Sequence, residues 1–81
     1  MEIDVRELLE LNVRAIVDEP EKVVVTEHSG GGHVVIYTVE TENVGQVIGS
    51  NGSIAKSLRR LLTAISGKMK KKLILDISQN K

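Results

Sequence analysis

Apolar positions change their period along the chain, and each change marks an element. Val5, Leu8, Leu9, Val13, Ile16 and Val17 recur at three- and four-residue spacing. Asp4 stands where a cap belongs and Glu7 follows three places on, so residues 4–18 are predicted to form an amphipathic helix, with Pro20 just past its end. Lys22 to His28 and His33 to Glu40 are rich in Val, Ile, Thr and Tyr; Ser29-Gly30-Gly31-Gly32 between them supplies turn residues, which predicts a hairpin. Asn43 is placed to cap a short helical turn through Val44, Val47 and Ile48, which Gly49 stops. After Gly52 the residues Ile54, Leu58, Leu61, Leu62 and Ile65 form one stripe at helical spacing, with Gly67 as the expected stop. Leu73 to Ser78 alternates and suits a last strand. No repeat, low-complexity tract or linker interrupts the series.

The order is α-β-β-α-α-β, an α+β fold read as a single domain over residues 1–81. A hairpin makes its strands antiparallel, and a strand that returns through helices is normally a right-handed parallel crossover. The expected architecture is therefore a three-stranded mixed sheet, second strand central, with the helices packed on one face. A helix-loop-helix crosses that face and leaves Gly49-Ser50-Asn51-Gly52 at an exposed corner. The central strand, Val34 to Val39, is apolar on both faces although helices cover only one, which hints at self-association.

At 81 residues the chain buries about 60–65% of its unfolded surface, too little for a deep catalytic cavity. The sequence has no cysteine, which removes disulfides and thiolate chemistry and makes a reducing compartment the expectation. No apolar run approaches a membrane span, and the acidic start is unlike a signal peptide, so the protein is expected in the cytoplasm, off the membrane. Charge alters the picture more. The formal net charge is zero, yet residues 1–46 hold ten acidic against three basic groups and residues 47–81 hold eight basic against Asp76 alone. Either the second half presents a basic face to a polyanion, or the halves fold together and neutralise.

The loop can then be read as chemistry. Glycine adopts positive φ and lets another backbone come close, and a loop that opens a helix points backbone N–H groups outward at the positive end of the helix dipole. That is a surface for phosphates. Lys56, Arg59 and Arg60 lie on the polar side of the helix that follows, and Lys68, Lys70, Lys71 and Lys72 come after it. The plainer alternative makes the glycines a turn and the cations a solvated face.

The joint pattern carries a resemblance. Val47-Ile48-Gly49-Ser50-Asn51-Gly52-Ser53-Ile54-Ala55, with Leu58 one turn on, resembles the V-I-G-x-x-G-x-x-I signature of KH domains. In that family the GxxG loop clamps the backbone of about four single-stranded nucleotides. The element order is similar to the type II arrangement, and the acidic first helix together with I-A-K-S-L-R-R-L-L resembles the KhpA-type bacterial RNA-binding proteins over nearly the whole chain. The resemblance implies single-stranded RNA as ligand and a role as RNA chaperone or post-transcriptional regulator. It also implies a homodimer or a heterodimer with a KhpB/Jag-type RNA-binding protein, and links to cell division and envelope growth. Gly49, Ser50, Asn51, Gly52 and Ser53 would hold the sugar-phosphate backbone, and Lys56, Arg59 and Arg60 would neutralise phosphates. Ile48 and Ile54 would line the base-facing side with one face of the central strand, while Leu58 stays in the core. Relatives commonly carry basic residues within and just after the loop; here stand Ser50, Asn51 and Ser53, so modest affinity is expected. With Tyr37 the only aromatic residue, stacking of bases on a sheet cannot be the main term.

Other features are discounted. His28 and His33 bracket the triple glycine without an obvious third metal ligand. Ser29 to Gly32 joins two strands and is no dinucleotide fingerprint, and residues 45–52 lack the Gly-Lys-Ser/Thr of a Walker loop. The carboxylates have no His or nucleophile placed to work with them. No enzyme and no cofactor is expected. The competing class is a protein-interaction module that uses the fold mainly for pairing, with RNA contact secondary.

Overall fold

The computed structural model describes residues 4–79. Helix α1 (Val5–Arg14) begins as its sequence dictates, with the Asp4 carboxylate accepting the Glu7 backbone N–H at 3.1 Å. It buries Val5, Leu9 and Val13 and ends four residues before the expected limit. The cause lies elsewhere in the chain. The N–H of Asp18 donates to Gln46 Oε1 at 2.9 Å and that of Glu19 to Asn43 Oδ1 at 3.1 Å, so neither is available to a helical carbonyl. The segment turns instead, leaves Ile16 exposed and drops Val17 into the core. A single 3₁₀ turn, Pro20–Lys22, follows with proline at its start, which moves the first strand two residues on.

Strands β1 (Val24–Ser29) and β2 (Val34–Thr41) pair antiparallel, with Thr26 opposite Thr38. Strand β3 (Lys72–Gln79) pairs parallel with β2, Ile36 opposite Ile74, which gives the expected sheet with β2 central. Alternation along β2 is complete: Val35, Tyr37, Val39 and Thr41 are buried, and Val34, Ile36, Thr38 and Glu40 are half-buried on the open side. The three helices cover the first of these faces. The core joins Leu9 and Val13 of α1, Val25, Tyr37, Val39 and Leu75 of the sheet, and Val47, Leu58 and Leu62 of the later helices. At the end of β2 the fully buried Thr41 turns its Oγ1 to the Asn43 N–H at 3.0 Å, which satisfies both groups.

Helices α2 (Val44–Ile48) and α3 (Ser53–Met69) flank the 3₁₀ turn Ser50–Gly52. Two sequence expectations fail here. Asn43 occupies the cap position of α2 but makes no capping hydrogen bond, because its side-chain oxygen already holds Glu19. Gly67 does not stop α3, which runs past it to Met69 and ends where Lys70 turns left-handed (φ 55°). The Lys71 N–H then reaches back to Ser66 O at 3.4 Å, and the Ser66 hydroxyl donates to Lys71 O. A helix end is fixed by whichever residue's backbone can close that loop, and here a lysine does so.

Candidate nucleic-acid interface

The loop's geometry follows from where its neighbours are anchored. Val47 is fully buried, so the end of α2 is pinned to the core, and the next residue, Ile48, stands 38% exposed beside the turn. The Gly49 N–H closes α2 on Gly45 O at 2.9 Å, and the Gly52 N–H closes the turn on Gly49 O at 3.1 Å. Gly49 (φ 77°), Asn51 (φ 56°) and Gly52 (φ 74°) all have positive φ, a region that glycine enters freely and asparagine more readily than most residues.

The two glycines are needed for different reasons. A Cβ on Gly49 would lie 2.7 Å from Ile54 Cγ1, so the space under Gly49 is taken by the helix that follows. Around Gly52 no atom lies within 4 Å of such a Cβ, which leaves its backbone open to approach from outside. No side chain caps the start of α3; the Ser53 N–H closes on Ser50 O, so the turn runs straight into the helix, and the N–H groups of Ser50 and Asn51 stand at the helix's positive end. Ile54 is partly buried and packs against the core; its contact is with Gly49, and it shapes the loop from below.

Lys56, Arg59 and Arg60 are exposed and stand three and four residues apart, which places them on one face of α3, away from buried Leu58, Leu62 and Ile65. Lys56 lies within the first turn, and Arg59 about 9 Å along the axis from Ser53 at 1.5 Å per residue. Among the described residues every ion pair falls in the acidic half: Arg6 and Arg14 with Glu10, and Lys22 with Glu19 and Glu42. Glu19 and then Glu42 hold the Lys22 ammonium above its ordinary value. None of the cations of residues 56–72 is paired among the described residues, and no ion pair there joins the two halves.

Lys68, Lys70, Lys71 and Lys72 do not join Lys56, Arg59 and Arg60. They cluster at the far end of α3, about 24 Å from Ser53 along the axis, where Lys72 N–H donates to His33 O at 2.7 Å. The strand beside the loop-bearing helices is β3 rather than the central strand, whose helix-side residues Val35, Tyr37 and Val39 are sealed in the core. Asn43 and Gln46, which tie α2 to the α1–β1 connection, position the loop without belonging to any motif. Their partners lie 24 and 28 residues away, and no local spacing signals such a bond.

The profile described as KhpA/KhpB, KH domain matches residues 6–77. The chain belongs to this family. A protein of Aquifex aeolicus named RNA-binding protein KhpA is 42% identical over 73 residues, which cover 89% of this chain and 92% of that one. One of the same name from Thermotoga maritima is 48% identical over 66 residues, 80% of this chain and 88% of that one. A third, from Clostridium perfringens, is 37% identical over 73 residues, 89% of this chain and 97% of that one. No solved structure matches the chain. The described α-β-β-α-α-β order, with a mixed sheet and a GxxG turn between α2 and α3, is that of a KH domain of this family. Among the described residues no helix is long and apolar enough to cross a membrane, and no three His, Cys, Asp or Glu residues group to hold a metal ion.

Proposed function

We propose that this chain is a non-catalytic RNA-binding protein that holds single-stranded RNA across the Gly49–Gly52 turn, with residues 1–81 acting as one KH domain. The observation that carries this reading is an open left-handed turn at the head of an uncapped helix whose exposed face bears the unpaired cations Lys56, Arg59 and Arg60. Gly49 and Gly52, with the Ser50 and Asn51 N–H groups between them, meet the sugar-phosphate backbone. The three cations neutralise phosphates one to two turns further on. Ile48, exposed beside the turn, meets the bases, while Ser50, Asn51 and Ser53 border the strand and Ile54 supports it from beneath. In this reading the protein works in the cytoplasm as an RNA chaperone or post-transcriptional regulator tied to cell shape. Its partner is a second copy or a KhpB/Jag-type RNA-binding protein. The name RNA-binding protein KhpA, carried by the relatives, supports the RNA, and half-buried Val34 and Ile36 on the open side of the sheet support a protein partner.

The test places charge where the strand must pass. Ser50→Asp with Asn51→Asp keeps both glycines and alters two exposed positions, so stability should change by no more than about 0.5 kcal/mol. Two carboxylates against a phosphate backbone should weaken binding about a hundredfold or more. Thermal melting and fluorescence anisotropy on one sample read both. A double variant that melts and binds as the parent does reduces the turn to a simple connection. The absence of a basic residue at positions 50, 51 and 53 favours the second reading, a protein-interaction module with RNA secondary. Nucleic acid that co-purifies with the chain and is lost on ribonuclease treatment decides for RNA.

A further inference from the structure

Asn51 is followed by Gly52, the pairing in which a side-chain amide is most open to attack by the next backbone nitrogen, because glycine has no Cβ to shield it. Of the other asparagines, Asn12 and Asn43 precede valine and Asn80 precedes lysine. Asn12 Nδ2 donates to Leu8 O at 2.7 Å and Asn43 Oδ1 accepts from Glu19 at 3.1 Å, whereas the Asn51 side chain is exposed and makes no hydrogen bond among the described residues. The space around Gly52 is open. In the RNA-binding reading above, the pair sits where a new charge would meet the approaching strand.

We propose that Asn51 is a self-modifying site whose conversion to isoaspartate or aspartate turns the loop from neutral to anionic and releases bound RNA. The Gly52 nitrogen, its proton passed to solvent, bonds to Asn51 Cγ. The Cγ–Nδ2 bond then breaks and ammonia leaves with a proton returned from solvent. Water adds to the resulting succinimide: opening at the main-chain carbonyl leaves isoaspartate, and opening at Cγ leaves aspartate. The net change is one water gained and one ammonia lost, with no oxidant or enzyme. The folded turn restrains the step. The Gly52 N–H is held on Gly49 O at 3.1 Å, and Asn51 at ψ 26° keeps the nitrogen away from Cγ. Attack therefore goes through a loosened turn and is slower in the folded chain than in the unfolded one. The loss of binding rests on the RNA-binding reading above; the modification does not.

The experiment incubates the full folded chain in neutral to mildly alkaline buffer and maps its peptides under conditions that resolve isoaspartate. Thermal melting confirms that the fold persists. Asn51 is expected to convert while Asn12 and Asn43 stay amides. The converted fraction, separated by its added negative charge, should bind an unstructured RNA oligonucleotide about tenfold or more weakly than the fresh chain. Asn51→Gln, whose longer side chain closes the ring reluctantly, should keep its own fresh affinity over the same incubation. Asn51 surviving as long as Asn12 and Asn43 overturns the site, and converted protein that binds like fresh protein overturns its consequence. A fresh chain with no RNA affinity overturns the RNA-binding reading and the loss built on it, with the peptide map still deciding the modification.

Discussion

Tyr37 shows how much one side chain reports at the residue scale. It is the only aromatic residue of the chain, stands on the inner face of the central strand and is 1% exposed. Burial, with a hydrogen bond to Glu27, pushes its phenol up to about 12. The unfolded chain releases this proton near the ordinary value of about 10, so above that pH the folded state binds more protons than the unfolded and loses stability. The stabilisation is fully present below pH of about 10 and should fall by about 2–3 kcal/mol as pH approaches about 12. Phenolate absorbance belongs to Tyr37 alone and should rise well above its ordinary midpoint; the alkaline loss should shrink in Tyr37→Phe. Alternation along β2 puts it on one face with Val35 and Val39, but Val34 and Ile36 make the opposite face apolar as well, so the sequence alone does not say which face turns inward. It does not show the partner, because Glu27 comes alongside only once the hairpin register is set.

At the scale of elements, the helix ends carry the instructive errors. Gly67 lies inside α3 with nothing within 4 Å of where its Cβ would be, so Gly67→Ala should stabilise the chain by about 0.5–1 kcal/mol through helix propensity. Lys70, not Gly67, adopts the left-handed terminal conformation, and Lys70→Gly should also stabilise, by about 1 kcal/mol. Thermal or urea melts of both variants check the pair; if Gly67 were the true stop, the alanine would destabilise instead. Element type, order and pairing were legible because apolar period is a local property. Val5, Leu9 and Val13 spell a helix by themselves. The α1 boundary was not legible, since Ile16 and Val17 continue the same period; it depends on Asn43 and Gln46, which arrive from another part of the chain. The loop was legible through its glycines. That Gly49 is held against Ile54 while Gly52 is open needed the turn of α3 that brings Ile54 beneath.

The whole molecule is organised by charge. Sheet order places α1 over β1 on one side and α3 over β3 on the other, with the ion pairs confined to residues 6–42 and the later cations unpaired among the described residues. If Lys56, Arg59 and Arg60 each neutralise one phosphate, log affinity for a single strand should fall against log salt with a slope of about −2, at roughly −0.7 per contact. Anisotropy titrations across a salt series measure it, and a flat response removes the three side chains from the interface. The charge split matters before contact as well. A neutral molecule with acidic groups along one side and basic groups along the other feels little net pull from a distant polyanion, but near it experiences a torque. With RNA as the proposed ligand, such a molecule swings round as it approaches, so that α3 arrives first and the carboxylates trail. Encounters begun in the wrong orientation are corrected by the field itself, within about a Debye length of roughly 8 Å at physiological salt. Docking on the proposed interface is then set by alignment within that distance, with little attraction from further away.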